Sequence, residues 1–404
     1  MAGAGRYAAL LAGGALTQVA AGAHLAWGMV LGSGVDLGGD VGERWLQNVS
    51  AAMVAVGVIV AGRLLDRGRS LLAACGGIVA LIAGVGAGAL APTSPAAVML
   101  GLGVLGSAGS GAMLALGLVV VARESGWLKG TMLGLALGAG LMGAELIWGS
   151  ASLLSLTRGA GYVLGWVVLI APVSGAAGAG LLALAVRLAR GAPPRSVAAL
   201  PLLGPRDVGP GRSAAESATF LMLLALAILT SFCGLLAMRA GAALSLIGVP
   251  EGSFVSGVLV GRTFALCRGG GVVLGGLIHD VLGPRAASVA SGLALGGALV
   301  VLSRFTGYDN PWDPLIGAVG VASGVGLIAV LASCAHLLGR SFLGHHLGFL
   351  NLGSALGIVL VLPLVGVVSA HPQGVLIGAA GACFATALAC LWSKPVDVVD
   401  QASS

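Results

Sequence analysis

The chain has 404 residues, of which 58% are hydrophobic and only 8% charged, with a mean hydropathy of +1.05. So little polar surface cannot clothe a soluble domain, and a polytopic membrane protein is expected. The formal net charge of +6 does not point to nucleic acid, because the basic residues are scattered over short segments between apolar runs, where they set orientation in a bilayer.

A span needs about twenty apolar residues. On that criterion twelve helices fall near 7–32, 45–64, 70–91, 96–121, 130–154 and 160–187, then 218–245, 254–278, 285–303, 314–338, 347–369 and 373–393. Arg6 precedes the first run and no small-residue cleavage site is apparent, so that run is expected to be helix 1 and not a removable signal. Segment 188–217, rich in Pro, Gly and Arg, cannot continue a helix and reads as a cytoplasmic linker. The expected organisation is an N-terminal six-helix bundle over 1–187, the linker, a second six-helix bundle over 218–393 and a cytoplasmic tail over 394–404.

With the N-terminus inside, fourteen Lys and Arg fall on cytoplasmic segments, among them Arg63, Arg67, Arg69, Arg123, Lys129 and Arg285. Arg44, Arg158 and Arg304 fall outside, together with the acids Asp36, Asp40, Glu43, Glu251, Asp309 and Asp313. That asymmetry predicts both termini on the cytoplasmic side of the cell (inner) membrane.

Among the 71 glycines, Gly126, Gly130, Gly134 and Gly138 recur every fourth residue at the fifth span, and Gly257, Gly261, Gly269, Gly270, Gly271, Gly275 and Gly276 crowd the eighth. Small residues let helix backbones approach closely in lipid, so the row in the fifth span predicts a helix–helix seam. The six cysteines show no metal-ligand spacing and read as small hydrophobes. No Walker sequence, metal-ligand set or nucleophile constellation is present, so neither a cofactor, a metal nor an enzymatic role is expected.

The spans enclose few charges: Glu145 in the fifth, Arg239 in the seventh, and Arg262 and Arg268 in the eighth. A charge near the bilayer centre costs about 2.5 to 3.5 kcal/mol on insertion scales, so each should face a cavity or a partner. Arg268 falls near mid-membrane, and its planar fork of donors matches a carboxylate bidentately. Two readings stay open for it: substrate binding, with Arg262 assisting, or a fixed pair with Glu145. Glu145 is either a proton-coupling group or a static counter-ion. Arg239 reads as a residue snorkelling to the outer surface. His24, in the first span, and Asn351, in the eleventh, are expected near substrate or bridging helices; His336, His345 and His346 read as a solvated basic edge. Three cations against one carboxylate leave a positive pathway, which favours anions.

The turn Gly62-Arg63-Leu64-Leu65-Asp66-Arg67-Gly68-Arg69 returns 214 residues later as Gly276-Leu277-Ile278-His279-Asp280-Val281-Leu282-Gly283-Pro284-Arg285. Both copies resemble the Gly-x-Leu-x-Asp-(Arg/Lys)-x-Gly-Arg signature of the major facilitator superfamily, in the loops between helices 2 and 3 and helices 8 and 9. The first copy lacks one residue between Arg67 and Gly68, and the second has Ile278 for Leu and Val281 for the basic residue. The resemblance implies an all-α membrane protein of twelve transmembrane helices in two pseudo-symmetric bundles, in which helices 5 and 8 slide past one another. It also implies an inner gate at Asp66, Arg67, Arg69, Asp280 and Arg285. The stretch from Lys129 to Gly140 is similar to the monocarboxylate and oxalate/formate porter branch, as is Leu25-Ala26-Trp27-Gly28. That branch carries a substrate-binding arginine in helix 8; Arg268, twelve residues before Asp280, lies one turn deeper than in the branch, and helix 11 lacks the lysine of an oxalate exchanger.

The sequence thus predicts a monomeric secondary transporter of a small organic anion, with a monocarboxylate favoured, coupled to a proton or exchanged for another anion. An inorganic anion porter, an efflux pump for an amphipathic compound and a non-transporting receptor or assembly protein are the alternatives.

Overall fold

The computed structural model of the chain describes residues 2–26, 39–126, 128–190, 218–245, 254–304, 312–337 and 342–392. They form twelve long helices. The first half comprises α1 (Ala2–Ala21, continued by a 3-10 turn, Gly22–Ala26), α2 (Gly39–Asp66), α3 (Ser70–Leu90), α4 (Pro95–Val98, π-helical Met99–Gly106 and Ser107–Glu124), α5 (Lys129–Ala144, π-helical Glu145–Gly149 and Ser150–Arg158) and α6 (Ala160–Arg190). The second comprises α7 (Ala218–Ser245), α8 (Phe254–Leu282), α9 (Pro284–Arg304), α10 (Trp312–Leu337), α11 (Leu343–Val361, extended by Leu362–Leu364 and Val365–Ala370) and α12 (Pro372–Trp392). Among the described residues, eleven helices are long and apolar enough to cross a membrane.

Local chemistry sets the breaks. Gly68 (φ 73°), Gly159 (φ 81°) and Gly283 (φ 91°) take the left-handed conformation that ends α2, α5 and α8. Pro284 then opens α9, where a missing N–H costs nothing. At the start of α4, Ser94 Oγ accepts the Ala97 amide at 3.4 Å, with Pro95 at the first helical position. Gly126, expected in the fifth helix, instead sits at φ 67° in the preceding turn.

In the first half α1 packs on α4, α5 and α6, α2 on α4, and α3 on α4 and α6. In the second, α7 packs on α10 and α11, α8 on α10, and α9 on α10 and α12. The two six-helix bundles meet along two main seams, α5 with α8 and α2 with α11. Their outer faces present large apolar side chains such as Leu71, Leu90 and Trp392, the surface a bilayer would cover.

Helix α6 runs on to Arg190, three residues into the expected linker. The rest of that linker and the expected tail lie outside the described residues, as do Trp27, Asp36, Glu251, Asp309, Arg340 and Lys394. His345 and His346, read as part of a solvated basic edge, belong to the first turn of α11, where His346 is buried.

Candidate functional site

The turns after α2 and α8 lie at one end of the molecule, called here the basic end, and there each bundle reaches into the other. The Asp66 carboxylate accepts the Gly344 amide at 2.9 Å and the His345 amide at 2.8 Å. The Asp280 carboxylate accepts the Gly130 amide at 2.8 Å and the Thr131 amide at 2.7 Å. Each carboxylate therefore caps the unpaired N–H groups and positive dipole end of a helix in the opposite bundle. Backbones come close enough for this because glycines line the seams: a Cβ on Gly62 would strike the Gly344 carbonyl, and one on Gly276 the Gly130 carbonyl. Higher on the α5–α8 seam, a Cβ on Gly134 would lie 2.8 Å from the Val272 oxygen and one on Gly138 2.7 Å from the Gly269 oxygen.

The cation on Asp66 is Arg123 of α4, at 2.5 Å, which also donates to the Leu65 carbonyl at 3.0 Å. Arg67 and Arg69, placed at the gate by the sequence, are exposed on the turn. Arg285 donates to the Cys390 carbonyl of α12 at 2.9 Å instead of facing Asp280. Two residues that sequence reasoning counted only for topology belong to the seams. Besides Arg123, Lys129 is 8% exposed and donates from Nζ to the Ala335 carbonyl near the end of α10 at 3.0 Å. His279 lies beside Asp280, with Nδ1 3.2 Å from its Oδ1.

Twelve residues from Asp280, about 18 Å along the helix, Arg268 occupies the middle of α8. No hydrogen bond or ion pair satisfies its guanidinium among the described residues, and Nε is buried without a partner. The guanidinium carbon lies 6.0 Å from the centre of the buried Phe264 ring, within cation–π range. Arg268 and Glu145 form no pair. The seam register sets Gly138 and Met142 against Gly269, so Glu145 falls one turn farther from the basic end. There the charge acting on its carboxylate is that of Arg262. Glu145 also begins the π-helical turn of α5, and its carboxylate folds back over Gly149.

His24 and Asn351 meet across a cavity of about 170 Å3, lined also by Gln47, Ser50, Ser354 and the apolar Ala51, Val54, Ala55 and Ile358. That is room for about six water molecules. His24 Nδ1 lies 2.7 Å from the Ala21 carbonyl and must donate to it, leaving Nε2 free of that bond. Asn351 donates to the Leu347 carbonyl at 3.0 Å. Neither Arg262 nor Arg268 lines this cavity. Val54 stands twelve residues from Asp66, as Arg268 does from Asp280, so the arginine is level with a cavity that lies between the bundles, lined by α1 and α2 of the first and α11 of the second.

No protein-family model and no curated protein matches the sequence. Among solved structures, the chain is similar to the proton:xylose symporter XylE bound to 6-bromo-6-deoxy-D-glucose, at 14% identity and a TM-score of 0.70, with 96% of each chain covered. It is also similar to the human organic anion transporter MFSD10 (TETRAN), at 15% identity and a TM-score of 0.66, covering 95% of this chain and 98% of the other. The two six-helix bundles of this chain have the major facilitator fold.

Proposed function

We propose that the protein is a secondary transporter of a small organic anion, with a monocarboxylate as the favoured substrate, working by alternating access between its two bundles. The observation that carries the anion reading is Arg268: a permanent cation in the middle of an apolar helix, with a buried Nε that nothing among the described residues satisfies. A carboxylate would supply the missing partner. Arg262 stands one and a half turns farther out beside Glu145, which would offer a proton-exchange site as the pathway opens and closes. His24 and Asn351 would contact the substrate from the cavity at the same height. Asp66 and Asp280 would form the inner gate, with the basic end facing the cytoplasm as the distribution of Lys and Arg predicts. An organic anion transporter among the proteins of this fold agrees with this substrate class.

A second reading, transport of a neutral hydroxylated solute, is favoured by the uncharged lining of the His24–Asn351 cavity. One experiment separates the two: counterflow in proteoliposomes loaded with lactate, pyruvate, formate, oxalate, nitrate or xylose, comparing the native protein with Arg268→Gln. The anion reading expects carboxylate flux in the native protein and its loss in the variant, with folded protein retained. Xylose flux that survives the substitution, without carboxylate flux, would replace it by the neutral reading.

A further inference from the structure

Each basic-end seam sets a histidine of the second bundle against a fixed cation of the first. At the α2–α11 seam, Arg63 Nε donates to His345 Nδ1 at 3.2 Å. A guanidinium has no acceptor, so this bond exists only while Nδ1 of His345 carries a bare lone pair. The other charged groups about this ring are Asp66, which holds the His345 amide, Arg123, which pairs with Asp66, and the neighbouring His346. At the α5–α8 seam, His279 is 3% exposed and faces Asp280 through Nδ1, and its Nε2 is buried with no partner among the described residues. The His336 ring of α10 lies 6.0 Å from it. Lys129 of α5 acts on His336 from across the seam, and Arg285 of α9 is turned away to α12.

We propose that these histidines make the basic-end latch proton-released: protonation of His345, or of His279 and His336, places a new cation against a fixed one in the opposite bundle and favours separation of the seams. Histidine is the side chain whose charge changes within the physiological pH range, which suits it to such a device. At the first seam protonation replaces a hydrogen bond with two facing cations. At the second, Asp280 attracts a protonated His279, but both stand on α8, so their pairing holds nothing across the seam. Lys129 is buried, so its repulsion of a protonated His336 across the seam is weakly screened. By linkage, protons bind more tightly once the seams have opened. The inference concerns the gate and holds for either substrate class.

Hydrogen–deuterium exchange of the full-length protein in lipid nanodiscs tests it, read at the Gly130, Thr131, Gly344 and His345 amides at pH 8 and pH 5.5, each rate divided by that of an unstructured peptide at the same pH. The expected result is a loss of protection of about tenfold or more on acidification, within the tenfold per pH unit that one linked proton allows between these two pH values. The loss should vanish in His279→Gln/His336→Gln/His345→Gln. It should also shrink in Arg63→Gln/Lys129→Gln, where the histidines remain and the cations do not. Unchanged protection in the native protein overturns the proposal, as does an equal loss in either variant. A loss that extends to the buried Leu295 and Leu299 amides of α9 overturns it too, because acid would then be loosening the whole bundle.

Discussion

Asp66 and Asp280 hold reciprocal positions: each leaves the end of its own helix to bond two successive amides at the start of a helix in the other bundle. One offset of 214 residues relates Asp66 to Asp280, Gly130 to Gly344, and Thr131 to His345. A gate built in this way closes two seams with one repeated device. Among the described residues, Asp66 has an arginine partner within its own bundle, Arg123 at 2.5 Å, and Asp280 has none. Replacing Asp66 or Asp280 by Asn should weaken its seam by about 1–2 kcal/mol through loss of the charged cap. Spin labels at the exposed Arg67 and Phe342, on a background with the exposed Cys75 replaced, should then report a larger population of long distances in Asp66→Asn. An unchanged distribution would show that the cap does not hold the seam.

Glycines at the seams should resist substitution where those on outer faces do not. A Cβ on Gly62 or Gly276 meets a carbonyl of the opposite bundle, whereas one on Gly76 or Gly86 meets nothing within 4 Å. Gly62→Val and Gly276→Val should therefore prevent closure of the basic end and abolish counterflow while leaving each bundle folded. Gly76→Ala and Gly86→Ala should keep flux and gain up to about 1 kcal/mol of helix stability. Thermal unfolding in detergent beside counterflow checks both statements; full flux in Gly62→Val would mean that the seam yields more readily than backbone contact allows.

The twelve helices and the duplicated turn were legible in the sequence because apolar length and Gly punctuation are local signals. The glycine row correctly pointed to a seam, and Gly130, Gly134 and Gly138 do face α8. What stayed hidden is direction around each helix. Spacing gives the height of Arg268 and Glu145, but apolar, Gly-rich helices have no polar face to fix azimuth, and register decided that Arg262, not Arg268, acts on Glu145. Nor does spacing reveal that Asp66 finds its amides 278 and 279 residues away. Arg123 and Lys129 counted equally as positive charges beside the membrane until packing gave them partners. In the sequence they flank the α4–α5 turn, far from both copies of the duplicated turn, and only the fold brings each to one of them.

Lys129 is the more exacting of those two. Its ammonium reaches the Ala335 carbonyl near the end of α10, where main-chain oxygens lack helical partners. Lys129→Met keeps the apolar stem and removes the donor, so an oxygen is left buried at a cost of about 1–3 kcal/mol. A fall in the thermal midpoint is expected, together with faster exchange at the end of α10. An unaltered midpoint would mean that another donor, or water, replaces the ammonium.

Glu145 and Arg262 should behave as a coupled pair and Glu145 and Arg268 as independent sites. The carboxylate lies one turn beyond the level of Arg268, and Arg262 is the cation that acts on it. In a double-mutant cycle on thermal stability, Glu145→Gln with Arg262→Gln should be less harmful than the two single effects added, by about 0.5 kcal/mol or more. Glu145→Gln with Arg268→Gln should be additive within about 0.3–0.5 kcal/mol, the usual limit for sites without a shared partner. The reverse pattern would mean that the α5–α8 register shifts by a turn in the membrane, bringing Glu145 to Arg268. Arg268 would then have a resident counter-ion, and the anion reading would lose the unsatisfied cation on which it rests.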